Sequence, residues 1–256
     1  MTTFRITVAY DGTGFAGWQR QANGTSVQGL LEEALADLAG GPVAVTGAGR
    51  TDAGVHALAQ VASFRLDPPR DPLTIVRAVN ARLPPAIRVL AAETAADDFN
   101  ARFSARAKTY RYRIWNADVI NPFERAYTWH VPGGLDVAAM ARAAGRLTGR
   151  RDFAAFQSAG TPTETTEREV FASTVHGGDG ALVTYDITGN GFLRHMVRAI
   201  VGSLVEIGRG RRGDGWIGDV LESRDRSQAG PTAPPEGLFL VRVEYGDRLK
   251  VYVEGP

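Results

Sequence analysis

Apolar and polar residues alternate in "FRITVAY", which puts Phe4, Ile6, Val8 and Tyr10 on one face of a strand. The next segment, "TSVQGLLEEALADLAGG", changes period. Val27, Leu30, Leu31, Ala34, Leu35 and Leu38 recur at helical spacing, Thr25 and Gln28 offer a capping box, and Gly40-Gly41 stop the helix. A short strand around Val43 to Val45 leads into a glycine-rich loop, and "AQVASFRL" leaves it as another strand. Asp71-Pro72 starts a second helix, with Leu73, Val76, Val79 and Leu83 expected on its buried side. The strand "IRVLAAE" completes a β-α-β-β-α-β order.

The second half repeats that order without obvious sequence identity. "AKTYRYRIW" reads as a strand, "LDVAAMARAAGRLTG" as a helix, and "REVFASTV" and "ALVTYDI" as strands. "FLRHMVRAIVGSLVEIG" is a strongly apolar helix, "DGWIGDVLES" an additional one, and "GLFLVRVEY" the closing strand. The pattern predicts an α+β fold of two ferredoxin-like halves, each with a mostly antiparallel sheet and helices packed on one face. The boundary falls near residues 100 to 106. This gives an N-terminal half over 1–103, which carries the glycine loop, and a C-terminal half over 104–256. "SAGTPTETTERE" and "GRGRRGDG" are expected to be mobile loops.

Composition narrows the chemistry. The 256-residue chain is 44% hydrophobic, enough for a real core, and no stretch approaches the ~20 apolar residues that span a bilayer. Its first residues lack the charged and apolar regions of a signal peptide. The absence of cysteine excludes disulfides, thiol chemistry and the usual structural zinc sites. His56, His130, His176 and His195 are too scattered for a local metal motif. A cytoplasmic enzyme without a redox metal is expected.

Net charge is only +1, yet all but two of the 29 basic residues are arginine, which suits planar contacts to phosphate and stacking on bases. Their location says more than their number. From Phe99 to Ala117 the chain carries Arg102, Arg106, Lys108, Arg111 and Arg113 without an acidic residue, interleaved with Phe99, Phe103, Tyr110, Tyr112 and Trp115. Such mixing resembles a nucleic-acid surface.

Three places could hold chemistry. Asp52, in "GAGRTDAG", is either a carboxylate presented on a glycine-flanked loop beside Arg50 or a turn aspartate bonding its own backbone. No strand–GxxxxGK[ST]–helix pattern surrounds it, so a phosphate cradle is a weak alternative. Tyr110 shares a strand face with Tyr112 and Ile114, where it would stack on a base or pack beneath a helix. Arg198 lies on the apolar "FLRHMVRAIVG" helix; if partly buried it needs an anionic partner, and otherwise its long stem snorkels to solvent. Asp52 is an attractive partner for it.

Four stretches resemble one known family. "AGRTDAGVHA" is similar to the catalytic motif of the tRNA pseudouridine synthase A family, and "YDGTGFAGWQRQ" to its N-terminal signature. "DDFNARFSARAKTYRYRIWN" and "FLRHMVRAIVGSLVEIG" match its two other recognisable stretches, in family order and across nearly the whole chain. The resemblance implies Asp52 as the catalytic aspartate, Tyr110 as the tyrosine against the target base and Arg198 as the arginine that pairs with the aspartate. Arg50 matches the residue that helps to hold the flipped nucleotide. It also implies a homodimer, no cofactor, no metal, and substrate uridines at tRNA positions 38, 39 and 40 in the anticodon stem-loop. Arg106 and Lys108 are expected to grip RNA phosphates. A non-catalytic RNA-binding module would explain the basic–aromatic run but not the aspartate loop. An aspartate-dependent hydrolase would usually show a metal-binding carboxylate cluster, and "GRTDAG" offers one acid.

Overall fold

The first strand, β1 (Thr2–Tyr10), is buried on both faces, and its surroundings explain why. In the computed structural model, which describes residues 1–158, 160, 163–177 and 180–246, it is followed by α1 (Val27–Ala39), β2 (Thr46–Gly47), β3 (His56–Leu66), α2 (Pro72–Arg82) and β4 (Ile87–Thr94). β1 pairs antiparallel with β3 on one side and β4 on the other. Phe4, Ile6 and Val8 build the core on one face. On the opposite face the segment after β4 lies against the sheet. Ala101 N–H donates to Ser63 Oγ at 3.1 Å, and the buried Arg5 guanidinium lies 5.6 Å from the Phe99 ring centre.

Then come β5 (Ala107–Trp115), β6 (Trp129–His130), α3 (Val137–Gly145), β7 (Gly149–Asp152), β8 (Glu167–Gly177), β9 (Leu182–Gly189), α4 (Met196–Gly208), α5 (Trp216–Ser223) and β10 (Leu238–Glu244). The chain gathers into two units, one of Met1–Arg106 with the segment from Phe239 onward, the other of Ala107–Leu238. In the first unit the strand order is β4-β1-β3-β10, and β2 also pairs with β3. β10 runs parallel to the start of β3, with Phe239 opposite His56, while β2 pairs antiparallel further along at Ser63 and Ala62. In the second unit the order is β5-β9-β8-β7, all antiparallel, with β6 beside β5. The expected elements therefore occur in the expected order, with β6 and β7 as two unexpected strands, in a mixed fold dominated by antiparallel pairing. The closing strand, assigned from the sequence to the second half, groups with the first unit from Phe239 because its partner there is β3.

Several local expectations are corrected. Ser26, not Thr25, caps α1 by accepting from Gly29 N–H at 3.2 Å. Gln28 instead ties the helix outward, accepting from Arg20 N–H at 2.9 Å and donating to Val45 O at 2.9 Å. The strand expected around Val43 to Val45 is displaced to Thr46–Gly47. α2 begins as expected, with Asp71 as its cap and Pro72 in its first turn. Its buried line is Ile75, Val79 and Leu83, four residues apart, while Leu73 is 53% exposed. α4 starts at Met196 rather than Phe192, because Ser158 holds the preceding turn: its N–H donates to Arg194 O at 3.2 Å and its Oγ lies 2.8 Å from His195 Nδ1. Of the expected loop "SAGTPTETTERE", Ala159, Thr161 and Pro162 lie outside the described residues, and its last residues open β8. No helix among the described residues is long and apolar enough to cross a membrane.

Candidate active site

The loop between β2 and β3 owes its shape to its uncharged residues. Thr51 points inward and is buried, whereas Arg50 is exposed and Asp52 half-buried. Trp18 N–H donates to Thr51 O at 3.0 Å, and the Tyr10 hydroxyl lies 2.8 Å from Thr51 Oγ1. Burial pushes the Tyr10 phenol above its ordinary range, so it remains neutral and holds this buried contact as a hydroxyl. A reverse turn then closes from Val55 N–H to Asp52 O at 3.1 Å, with Gly54 at φ 78° supplying the left-handed position. On the other flank, Gln60 Nε2 donates to Gly49 O at 2.7 Å.

Two of the motifs quoted from the sequence meet here. The register of β1 against β3 slips between Val8 and Tyr10, which sets Tyr10 opposite Ala57 and beside the loop. Gly12 then passes so close that a Cβ there would lie 2.1 Å from Val55 O. Its N–H donates to His56 Nδ1 at 3.0 Å. "YDGTGFAGW" is thus the wall against which "GRTDAGVH" is moulded.

Tyr110 and Arg198 belong to the second unit. Tyr110 lies on β5 opposite Ile187 of β9, is 7% exposed, and meets Phe192 edge-on with ring centres 5.1 Å apart. Tyr112 shares its face and donates its hydroxyl to Pro234 O at 2.7 Å. Burial pushes the Tyr112 hydroxyl well up, with Glu236 adding to the rise and Arg198 opposing it. Arg198, in the first turn of α4, is partly buried. Its Nε donates to Ala233 O at 2.7 Å, and Ala233 N–H returns a bond to Arg198 O at 3.0 Å. The segment carrying Ala233 is laid tightly along the helix: a Cβ on Gly202 would stand 1.7 Å from Pro231 O, and Gly230 N–H donates to Ser203 Oγ at 2.9 Å.

The basic–aromatic run divides into distinct roles. Phe99 packs on Tyr245 and Arg5; Tyr110 and Tyr112 are buried. Arg111 forms a two-pronged bond to Asp186 on β9, at 2.8 and 2.9 Å, and Arg113 pairs with Glu124 at 3.0 Å. The acids missing from the run itself are supplied by other segments. Arg106 is exposed, and its backbone N–H donates to Glu244 O at 2.8 Å; Lys108 is half-exposed opposite Gly189. Arg102 lies 5.3 Å from the centre of the Phe103 ring, which is 78% exposed.

Among the described residues no group of three or more His, Asp or Glu could hold a metal ion. A polar depression of about 360 Å³ in the second unit is lined by Arg150, Glu167, Arg168 and Asn190, and includes none of the expected site residues. The sequence alone gives no structural part to Trp18 or Ala233. For Trp18 the signal lies in the second glycine-rich motif, "YDGTGFAGW", whereas nothing in the sequence marks Ala233.

A family model described as tRNA pseudouridine synthase matches residues 6–104 and 143–246. The tRNA pseudouridine synthase A of Myxococcus xanthus is 46% identical over 249 residues, covering 96% of this chain and 93% of that protein. That of Geobacter sulfurreducens is 46% identical over 245 residues, with 96% and 100% covered. The Moorella thermoacetica protein of the same name is 48% identical over 251 residues, again with 96% and 100% covered. A chain of a Cbf5-Nop10-Gar1 complex overlaps this one with a TM-score of 0.38 at 11% identity, covering 94% of this chain and 50% of that one, a likeness too slight to carry an argument.

Proposed function

The chain belongs to the tRNA pseudouridine synthase family, an isomerase acting on uridine in tRNA, and on that premise we propose that it modifies positions 38, 39 and 40 of the anticodon stem-loop with Asp52 as nucleophile. The reaction breaks the N1–C1′ bond of uridine, turns the uracil and joins C5 to C1′. The C5 proton departs and N1 regains one, so composition is unchanged and no oxidant or reductant is consumed. The protein must supply an anion at the reacting nucleotide, walls that retain the freed base, and a group that removes the C5 proton.

The observation that carries this reading is the alternation at the head of the loop. Thr51 is anchored inward by Tyr10 and Trp18, while Arg50 is exposed and Asp52 half-buried on a turn held from beneath. A turn aspartate with only a structural duty needs no such foundation. Asp52 attacks the flipped nucleotide, and Arg198, its stem fixed by Ala233, provides the charge that pairs with it. Tyr110 forms a wall for the base, and Arg50 braces the site that the nucleotide vacates. Flipping costs a few kcal/mol, which contacts to the flipped base and backbone offset. Arg106 and Lys108 hold phosphates of the stem.

The strand order β4-β1-β3 with β2 on β3 supports a ferredoxin-like first unit, and β5-β9-β8 supports the same reading of the second. The enzyme works as a cytoplasmic homodimer, since an A-form stem is gripped through shape and backbone across a wide cleft. Incubating the purified protein with unmodified tRNA and mapping pseudouridine tests the proposal. Pseudouridine should appear at positions 38 to 40. Modification confined to another arm of the tRNA would overturn the assignment.

A further inference from the structure

We propose that His56 is a positioning residue for the Asp52 turn, acting as a neutral imidazole whose Nδ1 accepts the Gly12 N–H. This rests on the reading of Asp52 as the reacting carboxylate. His56 opens β3 at the end of the loop, is 1% exposed, and stacks on the Phe239 ring with centres 4.6 Å apart and planes 20° from parallel. A histidine with only a packing duty would be served by any flat ring. The polar geometry is more demanding.

Gly12 is buried, and its N–H reaches Nδ1 at 3.0 Å. Asp11 Oδ1 also lies 3.2 Å from the same nitrogen. The two contacts make opposite demands. Gly12 needs a bare nitrogen that accepts, whereas an ion pair with Asp11 needs a protonated one. The surroundings favour the first. Asp11 Oδ1 already receives the Thr13 N–H at 3.0 Å and the Thr13 hydroxyl at 2.6 Å, so it has donors without the ring. A buried Gly12 N–H facing an imidazolium N–H would have no acceptor there. His56 is therefore neutral, with its proton on Nε2.

This bond is coupled to the catalytic turn through one backbone contact. Gly12 presses on the carbonyl of Val55, leaving no room even for a methyl group, and Val55 N–H closes the turn on Asp52 O at 3.1 Å. Holding Gly12 in place holds Val55, and Val55 fixes the carbonyl of Asp52. If the Nδ1 bond is lost, Gly12 is free to lift from Val55 and the turn loosens beneath the carboxylate. The substrate surface is untouched. The expected signature is therefore a slower chemical step with unchanged tRNA affinity.

The test is single-turnover release of tritium from C5-labelled uridine in tRNA, compared across wild type, His56→Leu and His56→Asn. Asn places an acceptor oxygen near the position of Nδ1, whereas Leu fills space without one. We expect Leu to slow release by about 100-fold, the scale of a misplaced reacting group, with tRNA Kd close to wild type and a lowered Tm because the buried Gly12 N–H loses its acceptor, and Asn to recover most of the rate. Wild-type release by Leu, or equal loss in both variants, would overturn the proposal. If Leu does not fold, the imidazole nitrogens of His56 in the wild-type protein decide it by 15N NMR at neutral pH. A bare Nδ1 and protonated Nε2 are expected, and a protonated Nδ1 would overturn it. An Asp52→Asn variant run in parallel keeps the two claims apart: full activity there would overturn the reading of Asp52 and leave the tautomer result standing.

Discussion

The Asp52 turn of the first unit and the β5 strand of the second both present charged side chains in sequences that read as functional, but they are built in opposite ways. In the turn, the supports are buried and uncharged: Thr51, Tyr10, Trp18 and Gly12 carry the geometry through a hydroxyl contact, a backbone hydrogen bond and close backbone packing. On β5 the outward arginines are matched by the protein's own acids, Arg111 by Asp186 and Arg113 by Glu124. Charge that has been matched internally stabilises a sheet surface and is poorly placed to grip phosphate. The turn beneath Arg50 and Asp52 is instead shaped by hydroxyl and backbone contacts.

The strongest way to break this contrast is to attack the foundation of the turn. Gly12→Ala should destabilise the protein by about 3 kcal/mol or more, because the new methyl meets backbone that has no room to move. Gly14→Ala, two residues away where nothing lies within 4 Å of a new Cβ, should change stability by under about 0.5 kcal/mol. Thermal melts of the pair check the claim, and equal shifts would refute it. Thr51→Val comes next. It removes the hydroxyl that meets the buried Tyr10 and should cost about 1–2 kcal/mol, with a several-fold fall in tritium release.

Effects on RNA should be smaller and divided by location. Arg106→Gln or Lys108→Gln should weaken binding to many tRNAs alike and lower the slope of log K against log salt by about one unit. Arg111→Gln should leave both affinity and slope unchanged, and should reduce stability by under about 1 kcal/mol, since its pair with Asp186 is partly exposed to solvent. Equal slope changes for Arg106 and Arg111 would erase the distinction between matched and available charge. Tyr110→Phe is the finest probe. The ring that meets Phe192 remains, so binding should persist, and loss of release would assign the hydroxyl to proton removal.

Long periodic segments were legible because their burial is one-sided or their caps are local. β1, α1, α2, β4, β5, α4 and α5 were found in this way, and the order of elements followed. The misses have a common cause in partners distant along the chain. β7 has no apolar alternation and exists because Glu167–Val170 of β8 lies beside it. The start of α4 was misplaced because Ser158 holds Arg194 and His195 out of the helix. Arg111 and Arg113 looked available because Asp186 and Glu124 lie outside the run. At the candidate site, the motif named Arg50 and Asp52, while residues that position them lie in "YDGTGFAGW", whose Gly12 and Gly17 make sense only once Val55 and Thr51 are packed against them.

The central claim is that the Asp52 carboxylate performs the chemistry. Asn keeps the size and most of the hydrogen-bonding capacity of the side chain and removes only the anion. Because joining C5 to C1′ expels the C5 hydrogen, tritium at that carbon reports the reaction directly. Asp52→Asn, folded and still binding tRNA, should release no tritium above background while the wild-type protein releases it to completion. Release by Asp52→Asn at the wild-type rate would contradict the account.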